Sequence, residues 1–340
     1  MAQLMRAWHC PAPGPIDQTL VLVADAPRPS QPLKNGQLLV EVARASLNPA
    51  DYKVVGLGVA SRALTQFPKT PGMDFSGRVV AVAEAGVGDI KPGDAVLGRV
   101  TAVKRAGTLA QFVVVDYDSC VAVPAGVDLD AAAGVTTAAL TAYLTIAPHI
   151  KPRDRIFING GSGGVGLFGI QIAKALGCHV TATCSPAKAP LCKAAGADDI
   201  IDYTSSDVVA ELKKKGQVFS LLVDNVGNAP ANLYATSHHC LLPGAKFVFV
   251  GGAVSCGSAA SLARSLLLPA FLGGGRRRFV AFNIYSDRAA LEQVAAWMAE
   301  GKVKTVIDSV FEFEDAPRAF AQLKKGSSGG KIIVRVDGGK

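Results

Sequence analysis

Residues 155–177, RIFINGGSGGVGLFGIQIAKALG, carry seven glycines through one passage from an apolar run into a helix-like one. No other stretch restricts the possible folds as much. Gly161, Gly163 and Gly166 satisfy G-x-G-x-x-G, and Val165, Phe168, Ile172, Ala173 and Leu176 behind them fall on one helical stripe. In a strand-to-helix turn of this kind the first glycine permits the tight bend and the second lets a pyrophosphate approach the backbone. The third lets helix and strand pack closely. The first amides of the helix and its dipole then face the phosphates. Gly161, Ser162, Gly163, Gly164, Val165 and Gly166 are therefore candidate dinucleotide ligands.

The residues downstream extend the same pattern. HVTATC, DDIIDY, SLLVDNV, KFVFVGG and RRFVAFNIY are short, mostly apolar runs separated by segments long enough for helices. That is the rhythm of a parallel, doubly wound sheet covered on both faces, whose strands need not alternate in polarity. The rhythm starts near Val127. Before it, GQLLVEVARASLN, SGRVVAVA, DAVLGRV and AQFVVVD are strand candidates punctuated by Gly, Pro and Asp, which predicts a barrel-like or sandwich module. After the sixth strand candidate come a helix (DRAALEQVAAWMAEG), a strand (VIDSVFEF), another helix and a last strand (KIIVRV). The expected class is α/β, with a β-rich domain over 1–125 and a Rossmann dinucleotide-binding domain over 126–285.

Composition narrows the partners. Charged residues make up 18% of the chain and the formal net charge is +8, with three arginines together at 276–278. No aromatic-interleaved basic segment accompanies that run, so nucleic acid is not an expected partner. A solvated turn is the plainer reading of the arginines, and peripheral contact with an anionic membrane is the alternative. Ala131–Ile150 is uncharged but contains Pro148 and reads as a buried helix and loop rather than a membrane span. The seven cysteines include no C-x-x-C pair, which points to reduced thiols, and the N-terminal residues lack the long apolar core of a signal peptide. The expectation is a soluble intracellular protein, cytoplasmic or chloroplast. The adjacent histidines of SHHC (237–240) suit a surface or capping role better than a metal site.

The end of the second strand selects the dinucleotide. An NAD-preferring turn usually has an acidic residue about 20 positions past the first glycine, to accept from the ribose hydroxyls. Thr183, Cys184 and Ser185 occupy that neighbourhood here, and the next acid is Asp198. A 2′-phosphate would meet no carboxylate and would gain the Ser185 hydroxyl and the Lys188 ammonium, with Tyr203 as a further flanking candidate. NADPH is the expected cofactor.

These residues, taken with SLNPADYK (46–53), PGMDFSGRV (71–79), KPGDAV (91–96), GTLAQFVVV (107–115), TTAALTAY (136–143) and GKIIV (330–334), resemble the medium-chain dehydrogenase/reductase superfamily. The resemblance spans nearly the whole chain. Within the superfamily the sequence is similar to the zinc-free quinone oxidoreductase branch. HVTATC and EGKVKTVIDS look like the plant-type enone and quinone oxidoreductases related to the chloroplast-envelope homologue. The resemblance implies a GroES-like catalytic domain built from 1–125 and completed by 286–340, wrapped around the nucleotide-binding domain. It implies that Asn225 and Val226 after the fourth strand, and Gly251 and Gly252 after the fifth, line the cofactor. A monomer or a homodimer joined through the sixth strand is equally compatible with it.

Zinc-dependent members carry a Cys, a His-Glu pair and a further Cys or His at their metal. The matching positions here hold Asn48, Met73 with Asp74, and Thr137, a poor donor set for zinc, so no metal is expected. Without a Lewis acid, acceptors that take hydride readily are favoured, namely α,β-unsaturated ketones and quinones. The family motif places Asn48, Tyr52, Lys53 and Thr137 beside the reaction. Asn48 is a candidate donor to nicotinamide, ribose or substrate oxygen, Tyr52 a pocket wall or proton donor, and Lys53 a ribose ligand or water-orienting group. The leading expectation is an NADPH-dependent, zinc-independent reductase of enones, with quinones as a second acceptor class. The alternatives are a protein that is mainly a quinone reductase and a non-catalytic, NADPH-binding, membrane-associated regulatory protein.

Overall fold

The computed structural model describes residues 3–30, 32–227, 229–251, 260, 263, 264, 266–268 and 274–337. The chain divides into two compact units, Met1–Leu140 with Ser286–Lys340, and Thr141–Tyr285. The division falls inside the helix Leu129–Ile146. The sequence places the boundary ahead of that helix, after residue 125.

The first unit is β-rich. A two-stranded sheet of β1 (Leu4–His9) and β2 (Val21–Pro27) joins a seven-stranded sheet through a single antiparallel bridge, Ala7 to Ala110. That sheet holds β3 (Gln37–Leu47), β4 (Asp74–Val82), β5 (Ala95–Arg99), β6 (Phe112–Asp116) and β7 (Cys120–Ala122). The eleven-residue β3 organises it. Its first half pairs antiparallel with β6, its length pairs with β4, and its last residues pair with a strand from the far end of the chain. The core between these strands is apolar and closed, with Phe75, Val96, Leu109 and Val113 inaccessible to solvent.

The second unit contains β8 (Arg155–Asn159), β9 (His179–Cys184), β10 (Asp199–Asp202), β11 (Phe219–Asp224), β12 (Leu241–Phe249) and β13 (Arg278–Ala281). Every strand pair in it is parallel, in the order β10-β9-β8-β11-β12-β13. Counted within the unit this is 3-2-1-4-5-6, the doubly wound Rossmann order, and the strand order reverses between β8 and β11. The apolar runs read from the sequence coincide with β8, β9 and β11, because a strand buried on both faces needs an unbroken apolar run, whereas the outer strands β10 and β13 are mostly half-buried or exposed and β13 takes up only part of RRFVAFNIY. The helix Gly164–Ala175 departs from the single-stripe expectation: Gly166–Ala173 are all buried, while Val165 and Leu176 at its ends are only half-buried.

Beyond Tyr285 the chain returns to the first unit. The helix Arg288–Ala299 is followed by β14 (Ile307–Glu312), the helix Ala316–Lys324 and β15 (Lys331–Arg335). β15 lies antiparallel to β3, with Ile332 opposite Leu47 and Arg335 opposite Arg44. Local sequence carries no signal for a pairing between strands so far apart in the chain.

Among the described residues one helix, Leu129–His149 with its terminal turn, is long and apolar enough to cross a membrane. Its Ala132, Val135, Ala139 and Thr145 are fully buried, as in a core helix. The six described cysteines are buried and unbridged. Of the arginine run, Arg277 is turned inward and donates to the carbonyls of Leu241 (3.0 Å) and His238 (3.3 Å), while Arg276 and Arg278 are exposed.

Candidate functional site

The glycine turn leaves the carboxyl end of β8 at the point where the strand order reverses. Gly160 carries the positive φ of the bend (81°), so the tight turn falls one residue ahead of the motif's first glycine. Gly161 serves packing instead, since a Cβ there would lie 2.7 Å from the Ala182 Cβ. Gly166 is a glycine for the same reason, with an added Cβ only 2.1 Å from the Gly160 carbonyl oxygen. Gly163 differs from both. A Cβ at 163 would meet only the Gly160 oxygen, at 3.8 Å, and its φ of −78° suits any residue. Gly163 is the N-cap of the helix and makes no side-chain cap, and no acidic residue occupies the first helical turn. Leading amides that lack intrahelical partners, next to space that a side chain would fill, suit the pyrophosphate of a dinucleotide.

A buried polar belt sets the shape of this end of the sheet. Gly160 N–H donates to Thr183 Oγ1 (2.8 Å), the Thr183 hydroxyl donates to Asn159 Oδ1 (2.8 Å), and Asn159 Nδ2 donates to Asp224 Oδ1 (2.9 Å). The same Asp224 oxygen accepts from the amides of Val226 (3.0 Å) and Gly227 (3.1 Å). Asn159, Thr183 and Asp224 thus tie together the ends of β8, β9 and β11, and they bring Asn225 and Val226 to the glycine turn. Asn225 Oδ1 is buried without a hydrogen-bond partner, an acceptor available to a ligand. Gly251, at φ 108°, follows β12 and has open space around it. Gly252 lies outside the described residues.

Ser185 and Lys188 follow β9 directly, both half-buried. Tyr203 leaves the neighbouring strand at the same level, because Asp202 is in register with Cys184, and it is 57% exposed. Asp202 is the carboxylate nearest this edge in register, one strand away. Its oxygens accept from the Thr204 hydroxyl (2.7 Å) and the Ser205 hydroxyl (2.6 Å), and those bonds hold its carboxyl below the usual range.

In the first unit, Asn48 is the N-cap of the helix Pro49–Val55, which carries Tyr52 and Lys53. Asp51 Oδ2 accepts from the Asn48 backbone N–H at 2.7 Å, a reciprocal cap that starts the helix. Asp51 is buried, its other oxygen has no partner, and burial pushes its carboxyl up to about 7, with Asp74 reinforcing the rise. Tyr52 packs half-buried against the apolar core, and Lys53 lies on the exposed side with its pKa lowered by partial desolvation.

Asn48 and Thr137 are drawn together by Asp74, which is wholly buried at the start of β4. Asp74 accepts from Asn48 Nδ2 (2.8 Å) on one oxygen, and from the Thr137 amide (3.1 Å) and hydroxyl on the other. Two cations complete the cluster. Lys331, on β15 and 4% exposed, donates to Asn48 Oδ1 (2.7 Å) and the Leu47 carbonyl (3.2 Å) and pairs with Asp74 (3.3 Å). Arg99, 2% exposed, donates from Nε to Thr137 Oγ1 (3.1 Å), and its Nη1 has no hydrogen-bond partner. A sequence reading misses both, because a basic residue at the edge of an apolar run reads as a solvated strand end.

The positions that would hold zinc therefore present an amide, a thioether, a hydroxyl and one carboxylate already paired with an ammonium. Among the described residues no group of three or more His, Cys, Asp or Glu converges. This donor set does not fit a zinc ion.

Comparisons with known proteins place the chain in a family. The family model described as alcohol dehydrogenase GroES-like domain matches residues 34–125, and that described as zinc-binding dehydrogenase matches 195–334. The chain is 43% identical over 345 residues to the trans-enoyl reductase pgmF of Aspergillus terreus, covering 98% of this chain and 96% of that protein. It is 32% identical over 329 residues to the mitochondrial NAD(P)H oxidoreductase RTN4IP1 of Danio rerio, covering 88% and 84%. Among solved structures, the quinone oxidoreductase from Coxiella burnetii superposes with a TM-score of 0.84 at 27% identity, covering 98% of this chain and all of that one.

Proposed function

The chain belongs to the medium-chain dehydrogenase/reductase superfamily, in its quinone oxidoreductase-like branch, and is an oxidoreductase using a nicotinamide cofactor; on that premise we propose an NADPH-dependent, zinc-independent reductase of the conjugated double bond of enones. One observation carries the reading. The glycine cradle is intact, while the positions of the metal motif are closed around a lysine and satisfied by one another. An oxidoreductase that keeps its dinucleotide turn and lacks a metal to polarise a simple carbonyl is suited to acceptors that are already activated.

When bound, NADPH supplies the hydride. The protein's own contributions are binding, orientation and charge. Gly161, Ser162, Gly163, Gly164, Val165 and Gly166 hold the pyrophosphate, Asn225, Val226 and Gly251 line the remainder of the dinucleotide, and Ser185 and Lys188 take the 2′-phosphate. Reducing an enone at carbon places negative charge on the carbonyl oxygen, which a fixed donor stabilises. The Tyr52 hydroxyl is assigned that role, with Lys53 beside it orienting a proton-carrying water. Asn48 spends its amide on Asp74 and Lys331, and Thr137 spends its hydroxyl on Asp74 and Arg99, so both act by fixing Asp74 and, through Asn48, the start of the Tyr52 helix. The resemblance to a trans-enoyl reductase supports reduction of a double bond next to a carbonyl. The likeness to a quinone oxidoreductase keeps quinones as a second acceptor class.

The test follows NADPH absorbance with chelator-treated protein, offering a medium-chain vinyl ketone and an ortho-quinone in parallel and weighing the product by mass spectrometry. A saturated ketone about two mass units heavier is the expected product, since one hydride and one proton are added across the double bond. No turnover of either acceptor by protein that binds NADPH would refute the assignment.

A further inference from the structure

Lys331 is the one residue of the first unit's polar cluster that comes from the end of the chain, and it touches three separate pieces of that unit. Its ammonium donates to the Leu47 carbonyl at the last residue of β3, to the Asn48 side chain that caps the following helix, and to Asp74 at the first residue of β4. A lysine ammonium has three donors and no acceptor, so all three are used. The geometry also settles the orientation of the Asn48 amide. Only with Oδ1 toward the ammonium and Nδ2 toward the carboxylate are both contacts hydrogen bonds; flipped, two donors and two acceptors would face each other.

We propose that Lys331 is a positioning residue for the reduction, setting the Asn48 amide and the β3-to-helix junction so that Tyr52 and Lys53 are presented in one fixed place. The inference rests on the functional reading above. A buried ammonium at this point does the organising work that a bound metal ion does where thiolates and imidazoles occupy the motif positions: one fixed positive charge gathers ligands from separate chain segments. A lysine can do it with an amide and a single carboxylate as partners. Lys331 touches neither dinucleotide ligand nor acceptor in this assignment, so its loss should move kcat and leave NADPH affinity alone.

Lys331→Met by itself leaves the buried Asp74 without its paired ammonium, a change large enough to cost the fold, so the deciding variant is Lys331→Met with Asp74→Asn, which removes that ion pair at nearly constant volume and leaves Arg99 in place. Freed from the ammonium, the Asn48 amide is then able to flip toward the amide introduced at position 74, so the junction loses its single arrangement. The expected result is a Tm within a few degrees of wild type, an NADPH Kd from fluorescence titration within about twofold, and kcat lower by about 10- to 100-fold, the scale of a small misplacement of reacting groups. Lys331→Arg, which keeps the charge, should retain more kcat than the double variant. Full kcat in a stable double variant would overturn the inference and leave the functional reading standing, whereas wild-type protein inactive on both acceptors overturns both. A double variant that fails to fold while Lys331→Arg equals wild type in stability but falls as far in kcat as an inactive control would also overturn it, since retained charge would then not preserve the arrangement.

Discussion

Replacing Gly163 with valine should separate binding from folding. The ideal Cβ at this position finds one neighbour, the Gly160 oxygen at 3.8 Å, and the backbone sits at φ −78°, where a branched residue is unstrained. The folding cost is therefore limited to a poorer N-cap, about 1 kcal/mol, or roughly 2–4 °C in Tm. The binding cost is larger. The valine methyls project into the space proposed for the pyrophosphate and hold it off the helix amides. Losing two charge-assisted hydrogen bonds at about 1.5–3 kcal/mol each weakens NADPH by roughly 100- to 20,000-fold. Gly166→Ala is the control, because its Cβ would fall 2.1 Å from the Gly160 carbonyl oxygen, and it should unfold or fail to accumulate. Nucleotide fluorescence titration beside a thermal melt reads both quantities. Gly163→Val protein that melts normally and binds NADPH within about threefold of wild type would refute the placement of the phosphates.

Further predictions concern the cofactor edge and two buried carboxylates. Lys188→Ala should weaken NADPH about tenfold, the value of one charge-assisted contact at a half-buried site, and leave NADH within about twofold; equal losses for the two nucleotides would remove Lys188 from the phosphate pocket. Asp224→Ala strips the shared acceptor from Asn159 Nδ2 and the amides of Val226 and Gly227, and should cost about 2–4 kcal/mol of stability together with NADPH affinity; an unchanged melt would show that water replaces the carboxylate. Asp51 reaches about 7 in the folded protein, above its ordinary 3.8, chiefly through burial. The unfolded chain therefore ionises first, and stability held below about pH 4 is lost as pH rises to about 7 and stays lost above it. Asp51→Asn has no such loss, so its Tm advantage should grow between about pH 4 and 7 and then level off, at an energy on the order of 4 kcal/mol. An advantage that shrinks with rising pH would contradict the burial argument.

The apolar runs at 155–159, 179–184 and 219–224 were legible as buried parallel strands, because burial on both faces leaves a local trace. The 160–166 turn was legible as a tight strand-to-helix turn, the proposed seat of the dinucleotide, because its bend and its close packing against β9 require glycine at 160, 161 and 166. The same motif did not disclose which glycine does what. Gly160 bends the chain, Gly161 and Gly166 make room for neighbours, and Gly163 alone of the four faces open space, distinctions that depend on atoms from β9 and from the turn itself. Asn159, Thr183 and Asp224 were equally hidden, since each ends an apolar strand and becomes a belt only when three strands lie side by side.

Motif spacing by itself determined the doubly wound domain, the likeness to the superfamily and the poor donor set at the metal positions, all properties carried by residues close together in the chain. Tertiary structure decided that β15 lies against β3, and with it that a lysine 283 residues from Asn48 becomes the buried cation beside Asp74. The reason is physical. Helix and strand periods and turn chemistry act over a few residues, whereas the charge state and orientation of a buried amide and carboxylate depend on whatever ion the folded chain delivers next to them.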